Sequence, residues 1–185
     1  MKAMTSAAKL PATVAGSQNQ EEQQQYLTFM LGGETYAISI LSIKEIIQHS
    51  QLTEVPRMPD FILGVINLRG AVVPVIDLSA RFGKQSVQVG RRNCIIIVEV
   101  NTGEETQNVG VMVDAVNAVL EIPTHEIEPA PSFGNNIRAD FIAGMGKING
   151  KFVIILNIQY VLSMDEMTRL AGEGYTSAIE LKSVE

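Results

Sequence analysis

Apolar residues run along this chain in short stretches punctuated by glycine, asparagine and proline, the pattern of closely spaced β-strands. Tyr26-Leu27-Thr28-Phe29-Met30-Leu31 and Glu34-Thr35-Tyr36-Ala37-Ile38-Ser39-Ile40 flank Gly32-Gly33 and predict a hairpin whose glycines supply positive φ at the turn. Residues 63–68 and 71–76 predict a second strand pair about Arg69-Gly70, with Pro74 marking an edge strand or a bulge. Further strands are expected at 95–100 and 108–114, joined by a polar loop over 101–107. The last hairpin, 141–148 with 151–156, closes on Asn149-Gly150, a strong type I′ turn signal.

Helical spacing is rarer. Ile43, Ile46 and Ile47 stand at i, i+3 and i+4, and Ser42 with Glu45 has the form of a capping box, so residues 42–48 predict a short helix. Residues 116–120 fit a short helix or a strand, 78–82 a helical turn, and 158–170 a helix near the end of the chain. Residues 121–139 read as a long Pro-rich loop. Residues 1–25, rich in Ala, Ser, Thr and Gln, predict a disordered lead-in, and those after Gly172 a loose end.

The pattern also repeats. The segment from Asp60-Phe61-Ile62-Leu63-Gly64 to Asp77-Leu78 returns without a gap from Asp140-Phe141-Ile142-Ala143-Gly144 to Asn157-Ile158. Two similar folding units need no catalyst to explain them. They do create a seam, and positions where the copies differ become candidates for function. Arg69 in the first copy matches Asn149 in the second. Matching residues 42–47 to 115–120 sets Glu45 against Ala118, although the offset there is shorter. A Glu and an Arg are thus present together in one unit and absent together from the other, as two mutually dependent charges would be. An ordinary surface ion pair, worth about 0–1 kcal/mol, explains this as well as a pair that shapes a recognition groove, and two charges that never meet are a further alternative.

Composition narrows the classes. The apolar fraction is 46% with no Trp, so the core is mostly Ile, Val and Leu. A net charge of −6 argues against nucleic acid as a main partner. The one basic pair, Arg91-Arg92, reads as part of a solvated linker. No apolar run approaches the ~20 residues that span a bilayer, and the start lacks the apolar core of a signal peptide, so a cytoplasmic protein is expected. The lone Cys94 opens an apolar run and reads as a small buried residue.

Catalytic chemistry is not legible. His49 and His125 have no metal-ligand spacing to each other or to Cys94. Gly144-Met145-Gly146 has the wrong spacing for a dinucleotide loop and is followed by a strand. Asp77 and Asp114, at strand ends, read as turn caps. No metal or cofactor is expected.

Asn67-Leu68-Arg69-Gly70, Val73-Pro74-Val75-Ile76-Asp77-Leu78 and Arg81-Phe82-Gly83 resemble the CheW family of chemotaxis coupling proteins, and the resemblance extends over most of residues 26–170. It implies a mainly β fold of two five-stranded SH3-like β-barrels packed on a shared hydrophobic core. Barrel 1 would span about 26–88 and barrel 2 about 92–157, with a C-terminal helix over 158–170 and a flexible tail over 171–185. It implies a non-catalytic adaptor that binds the cytoplasmic tip of methyl-accepting chemoreceptors and the regulatory domain of the histidine kinase CheA, recruited to membrane-bound receptor arrays. The receptor groove, between the barrels, would be lined by Ile43, Glu45, Gly64, Asn67, Leu68 and Arg69, with Gly64 letting a receptor helix approach closely. No residues are assigned to the kinase contact. An adaptor of a related chemosensory system such as pilus-driven motility, or a small-ligand sensor, are the competing readings.

Overall fold

The computed structural model describes residues 23–48, 52–84, 93–130, 137–163 and 166. The lead-in before Gln23, the Arg91-Arg92 pair, His49 and the tail from 171 lie outside them. The chain forms strands β1 (Gln23–Leu31), β2 (Glu34–Ser39), β3 (Ile43–Gln48), β4 (Ile62–Leu68) and β5 (Ala71–Asp77), followed by one turn of helix, α1 (Leu78–Arg81). Then come β6 (Cys94–Thr102), β7 (Glu105–Val113), β8 (Ala115–Pro123), β9 (Ile127–Glu128), β10 (Ile142–Ile148), β11 (Lys151–Leu156) and α2 (Ile158–Val161).

The strands make a six-stranded sheet, β8-β1-β2-β11-β10-β9, and a five-stranded sheet, β3-β6-β7-β5-β4. These do not follow the contiguous halves expected, 26–88 and 92–157. Hairpin β1–β2 joins β8 to β11, and hairpin β6–β7 joins β3 to β5. Each exchanged hairpin attaches by a parallel contact: β2 beside β11 through Tyr36 and Ile154, β7 beside β5 through Gly110 and Val75. The two units are therefore intertwined.

Burial follows from this exchange. Alternate residues of β6 face opposite cores: Ile95 and Ile97 fill the five-stranded unit, while Ile96, Val98 and Val100 enter a core shared by both sheets. A strand buried on both faces reads as a continuous apolar run, as 94–98 does. Phe29, Tyr36 and Ile38 meet that shared core from the six-stranded side, and a smaller cluster about Tyr26, Ile122 and Ile155 fills the six-stranded unit. Cys94 is half-buried and packs on the shared core, as expected of a small apolar residue.

Several local expectations change. Residues 43–48 are strand β3, not helix, and no capping box forms; Ser39 instead caps the 3₁₀ turn Ile40–Ser42, its Oγ accepting from Leu41 N at 3.3 Å. Strand β1 begins at Gln23 rather than Tyr26, because Gln23–Gln25 pair with Glu121–Pro123. Residues 101–107 are mostly strand, with the turn confined to Gly103 and Glu104. The alternatives at 116–120 resolve to strand, and the expected loop after it contains the end of β8, a 3₁₀ turn and β9. Pro74 lies neither on an edge strand nor in a bulge of its own strand. It sits just ahead of the β5–β7 pairing, which starts at Val75, so its missing N–H breaks no ladder bond there. Helix α2 is capped at Leu162, and apart from Ser163 and Glu166 the rest of the expected 158–170 lies outside the described residues.

Candidate functional site

The six residues expected to bind a partner all lie on β3, on β4, or in the turn that follows β4. These are the two edge strands of the five-stranded sheet. The β4–β5 turn is tight, with Arg69 at φ 54° and Gly70 at φ 88°. Asn67 Oδ1 accepts from Gly70 N at 2.9 Å and fixes it. This geometry swings Arg69 back across the open side of the sheet. Its Nη2 donates to Glu45 Oε2 on β3 at 2.8 Å. The ion pair thus joins one sheet edge to the other.

The two charges sit in different surroundings. The Arg69 side chain is 78% exposed and that of Glu45 24%. Glu45 Oε1 is shielded from solvent and has no hydrogen-bond donor among the described residues. Leu68 and Ile47 are half-buried on the core of the five-stranded unit, beneath the pair. Glu45, Asn67, Leu68 and Arg69 therefore form one patch.

Ile43 and Gly64 do not belong to it. A bulge sets Ile43 opposite Val98 and Glu45 opposite Ile97, leaving Lys44 unpaired in the ladder. Residues two apart then fall on opposite faces, and Ile43 packs on the shared core. Gly64 is buried, with φ +152°, and a Cβ there would lie 2.4 Å from the backbone oxygen of Thr53. The close approach that Gly64 permits is therefore internal: Thr53 and Val65 form a β-bridge over it. Gly144 repeats the device beneath β9, where a Cβ would meet Ile127 at 2.6 Å.

The register settles the comparison between copies. β8 bulges against β1 as β3 does against β6, with Phe29 opposite Val116 and Thr28 opposite Ala118. Glu45 and Ala118 are thus equivalent. Asn149-Gly150 forms the same turn as Arg69-Gly70, with φ 51° and 79°. Copy two has neither charge, and its core is smaller there: Thr28 stands where copy one has Ile97, and Gly146 where it has Ile66. A cleft of about 810 Å³ opens at this place, lined by Ala118 and Asn149 together with Met30, Leu120 and Phe152. Sequence reasoning missed the cleft; of the two small replacements only Thr28 lines it, the space beside Gly146 being filled by Ile122 and Ile155.

The remaining candidates are structural. Asp77 is buried and Oδ1 accepts from Ala80 N at 3.2 Å, and Asp114 Oδ2 accepts from Gly32 N at 2.8 Å, so both cap turns as expected. His125 lies in the exposed 3₁₀ turn Thr124–Glu126. Among the described residues no group of three or more His, Cys, Asp or Glu is placed to hold a metal, and no helix is long and apolar enough to cross a membrane.

The CheW-like domain family matches residues 25–166, which takes in both sheets and the ion-pair patch. The chain belongs to the CheW-like family. It is 37% identical over 156 residues to the chemotaxis protein CheW of Klebsiella aerogenes, covering 84% of this chain and 92% of that one. The CheW of Helicobacter pylori is 34% identical, with 82% of this chain and 90% of that one covered. Protein FrzA of Myxococcus xanthus is 29% identical, with 76% and 86% covered. The crystal structure of the scaffolding protein TtCheW from Thermoanaerobacter tengcongensis is similar at a TM-score of 0.69 and 34% identity, covering 77% of this chain and 90% of that one. The two units of this CheW-like chain are SH3-like β-barrels on a shared core, as the resemblance implied.

Proposed function

We propose that this chain is a non-catalytic adaptor of chemotaxis signalling that holds the cytoplasmic tip of methyl-accepting chemoreceptors and the regulatory domain of a CheA-type histidine kinase on one rigid body. Membership of the CheW-like family supports the adaptor role, and 37% identity to a chemotaxis protein over most of both chains supports the pathway. One observation carries the receptor site: a charged pair clasps the edges of one barrel and is missing, charge for charge, from the other. A structural requirement of the fold would appear in both copies. In this reading Glu45, Asn67, Leu68 and Arg69 meet the receptor, with Leu68 supplying apolar area and Arg69 a planar donor fork. Ile43 contributes from the neighbouring face, and Gly64 holds the edge strand in shape without touching the partner. The cleft of the six-stranded barrel offers a second, chemically different surface on the same body, which a coupler of two partners requires.

Titration of a receptor-tip fragment against the full chain tests this. Arg69→Ala is expected to weaken binding by about 10- to 100-fold, on the scale of an interface Arg, with little change in melting temperature. Unchanged binding by the folded variant removes Arg69 from the site. Absence of binding by the unaltered chain, to receptor tip and kinase domain alike, overturns the adaptor reading itself.

A further inference from the structure

The duplication brings its two copies face to face at one buried cation. Phe61 and Phe141 are equivalent in the two repeats, as are Arg81 and Val161. The Arg81 guanidinium lies 5.5 Å from the Phe61 ring centroid and 4.7 Å from that of Phe141. Its Nε donates to the Val161 carbonyl at 2.9 Å. Arg81 therefore touches the equivalent parts of both units, and its side chain is only 5% exposed. The backbones carry matching anchors there: Asp77 N donates to Phe61 O and Asn157 N to Phe141 O, each at 2.7 Å.

A charge so placed needs a counter-ion. Among the described residues Arg81 Nη2 has no hydrogen-bond partner, and the nearest carboxylate is that of Glu166, at 3.4 Å. Glu166 lies past α2, its backbone N donating to Ser163 Oγ at 3.4 Å. Arg138 Nη1 also donates to this carboxylate, while Arg138 Nε and Nη2 grip Asp140 at 3.1 and 2.6 Å. Arg138 itself lies 4.5 Å from the Phe141 centroid. Among the described residues the ionisable groups facing Arg81 are thus Glu166, Arg138 and Asp140. The hydrogen bond from Arg138 is the largest influence on Glu166 and holds its carboxyl below the usual range. Removing one partner of a buried pair leaves the other charge uncompensated, which is far more damaging than removing both.

We propose that Glu166 is an electrostatic latch: it supplies the counter-ion of the cation buried at the junction of the two barrels, so that its release loosens the anchors of both copies together. The pairing with Arg81 ties a residue beyond the last strand to the rigidity of the whole adaptor. A residue that merely tied down its own segment would affect Asn157 and leave Asp77 alone.

Amide hydrogen exchange in the full-length protein tests this. Glu166→Gln is expected to raise exchange at both Asn157 and Asp77 by about tenfold or more, with the β6 amides unchanged. The double variant Arg81→Met with Glu166→Gln has no orphaned cation and is expected to exchange within about twofold of the unaltered protein. Exchange within about twofold in the single variant, a response at Asn157 without Asp77, or a double variant as labile as Glu166→Gln each overturns the latch. Should the Arg81 variant not fold, acid titration of the unaltered protein decides. Glu166 has a depressed folded pKa, so the latch is complete above the ordinary Glu value of about 4.3 and is lost as pH falls through the folded value. Asn157 and Asp77 are then expected to lose protection together and before β6, after correction for intrinsic exchange. Loss together with β6, or no loss at all, overturns the proposal.

Discussion

Arg69 holds a backbone conformation that an L side chain resists. At φ 54° it occupies the left-handed region, which costs a non-glycine residue about 1–2 kcal/mol. Asn149, at φ 51° in the equivalent turn, is a residue type that tolerates it. The ion pair with Glu45 returns little, since a pair with one partner this exposed contributes about 0–1 kcal/mol. Copy one therefore keeps Arg at a net cost to stability, which points to a use outside the fold. Arg69→Gly is expected to stabilise the protein by about 0.5–1 kcal/mol in urea unfolding while losing receptor affinity as Arg69→Ala does. Destabilisation would mean that the pair holds the barrel edges together more strongly than the turn is strained. Glu45 and Arg69 were legible as partners because the second copy lacks both. The internal contact at Gly64 was not legible, because a glycine in a sequence does not say which atom occupies the space beside it; here it is the Thr53 carbonyl of the same chain.

At the scale of elements, strands bounded by turn residues were legible and β3 was not. The bulge between Ile43 and Glu45 breaks the alternation of a strand. It sends Ile43 to the shared core and Ile47 to the barrel core, and the resulting apolar spacing imitates a helix. Nothing local in the sequence separates these cases, although three β-branched isoleucines lean toward the strand. The same irregularity explains the glycines. β4 and β10 each shift register just before Gly64 and Gly144, where a crossing segment lies against the strand. The two sites differ in what a methyl group would strike. At Gly64 it meets a backbone oxygen at 2.4 Å, on a backbone of φ +152°; at Gly144 the closest atom is a side-chain methyl of Ile127, and no positive φ adds to the strain. Gly64→Ala is expected to destabilise by about 2–4 kcal/mol and Gly144→Ala by distinctly less, since overpacking and backbone strain combine only at the first. Equal losses in paired denaturation curves would show that the neighbouring backbone yields as readily as a side chain.

For the whole molecule, the repeat announces two units but not how the chain divides between them. Sequence similarity covers 60–78 and 140–158, which lie at the ends of the two units. The hairpins that are exchanged, β1–β2 and β6–β7, stand outside the repeat and attach by parallel contacts between distant residues. Such pairings leave no local pattern, because each strand looks the same whichever sheet receives it. The exchange has a mechanical result. Neither half of the chain contains a complete barrel, and the shared core takes Phe29 and Tyr36 from one half and Ile96 and Val98 from the other. An adaptor built this way resists movement of one barrel against the other, since any such movement must open the core that both sheets share. Residues 1–90 and 91–185, expressed separately, are therefore expected to lack cooperative unfolding, each leaving the unpaired sheet edge from which its partner's hairpin is missing. Mixed in equal amounts, they are expected to recover a single cooperative transition and the near-ultraviolet signal of packed Tyr36. A cooperative melt from either half alone would show that a barrel closes without the borrowed hairpin, and the rigid coupling of the two proposed binding surfaces would then lose its physical basis.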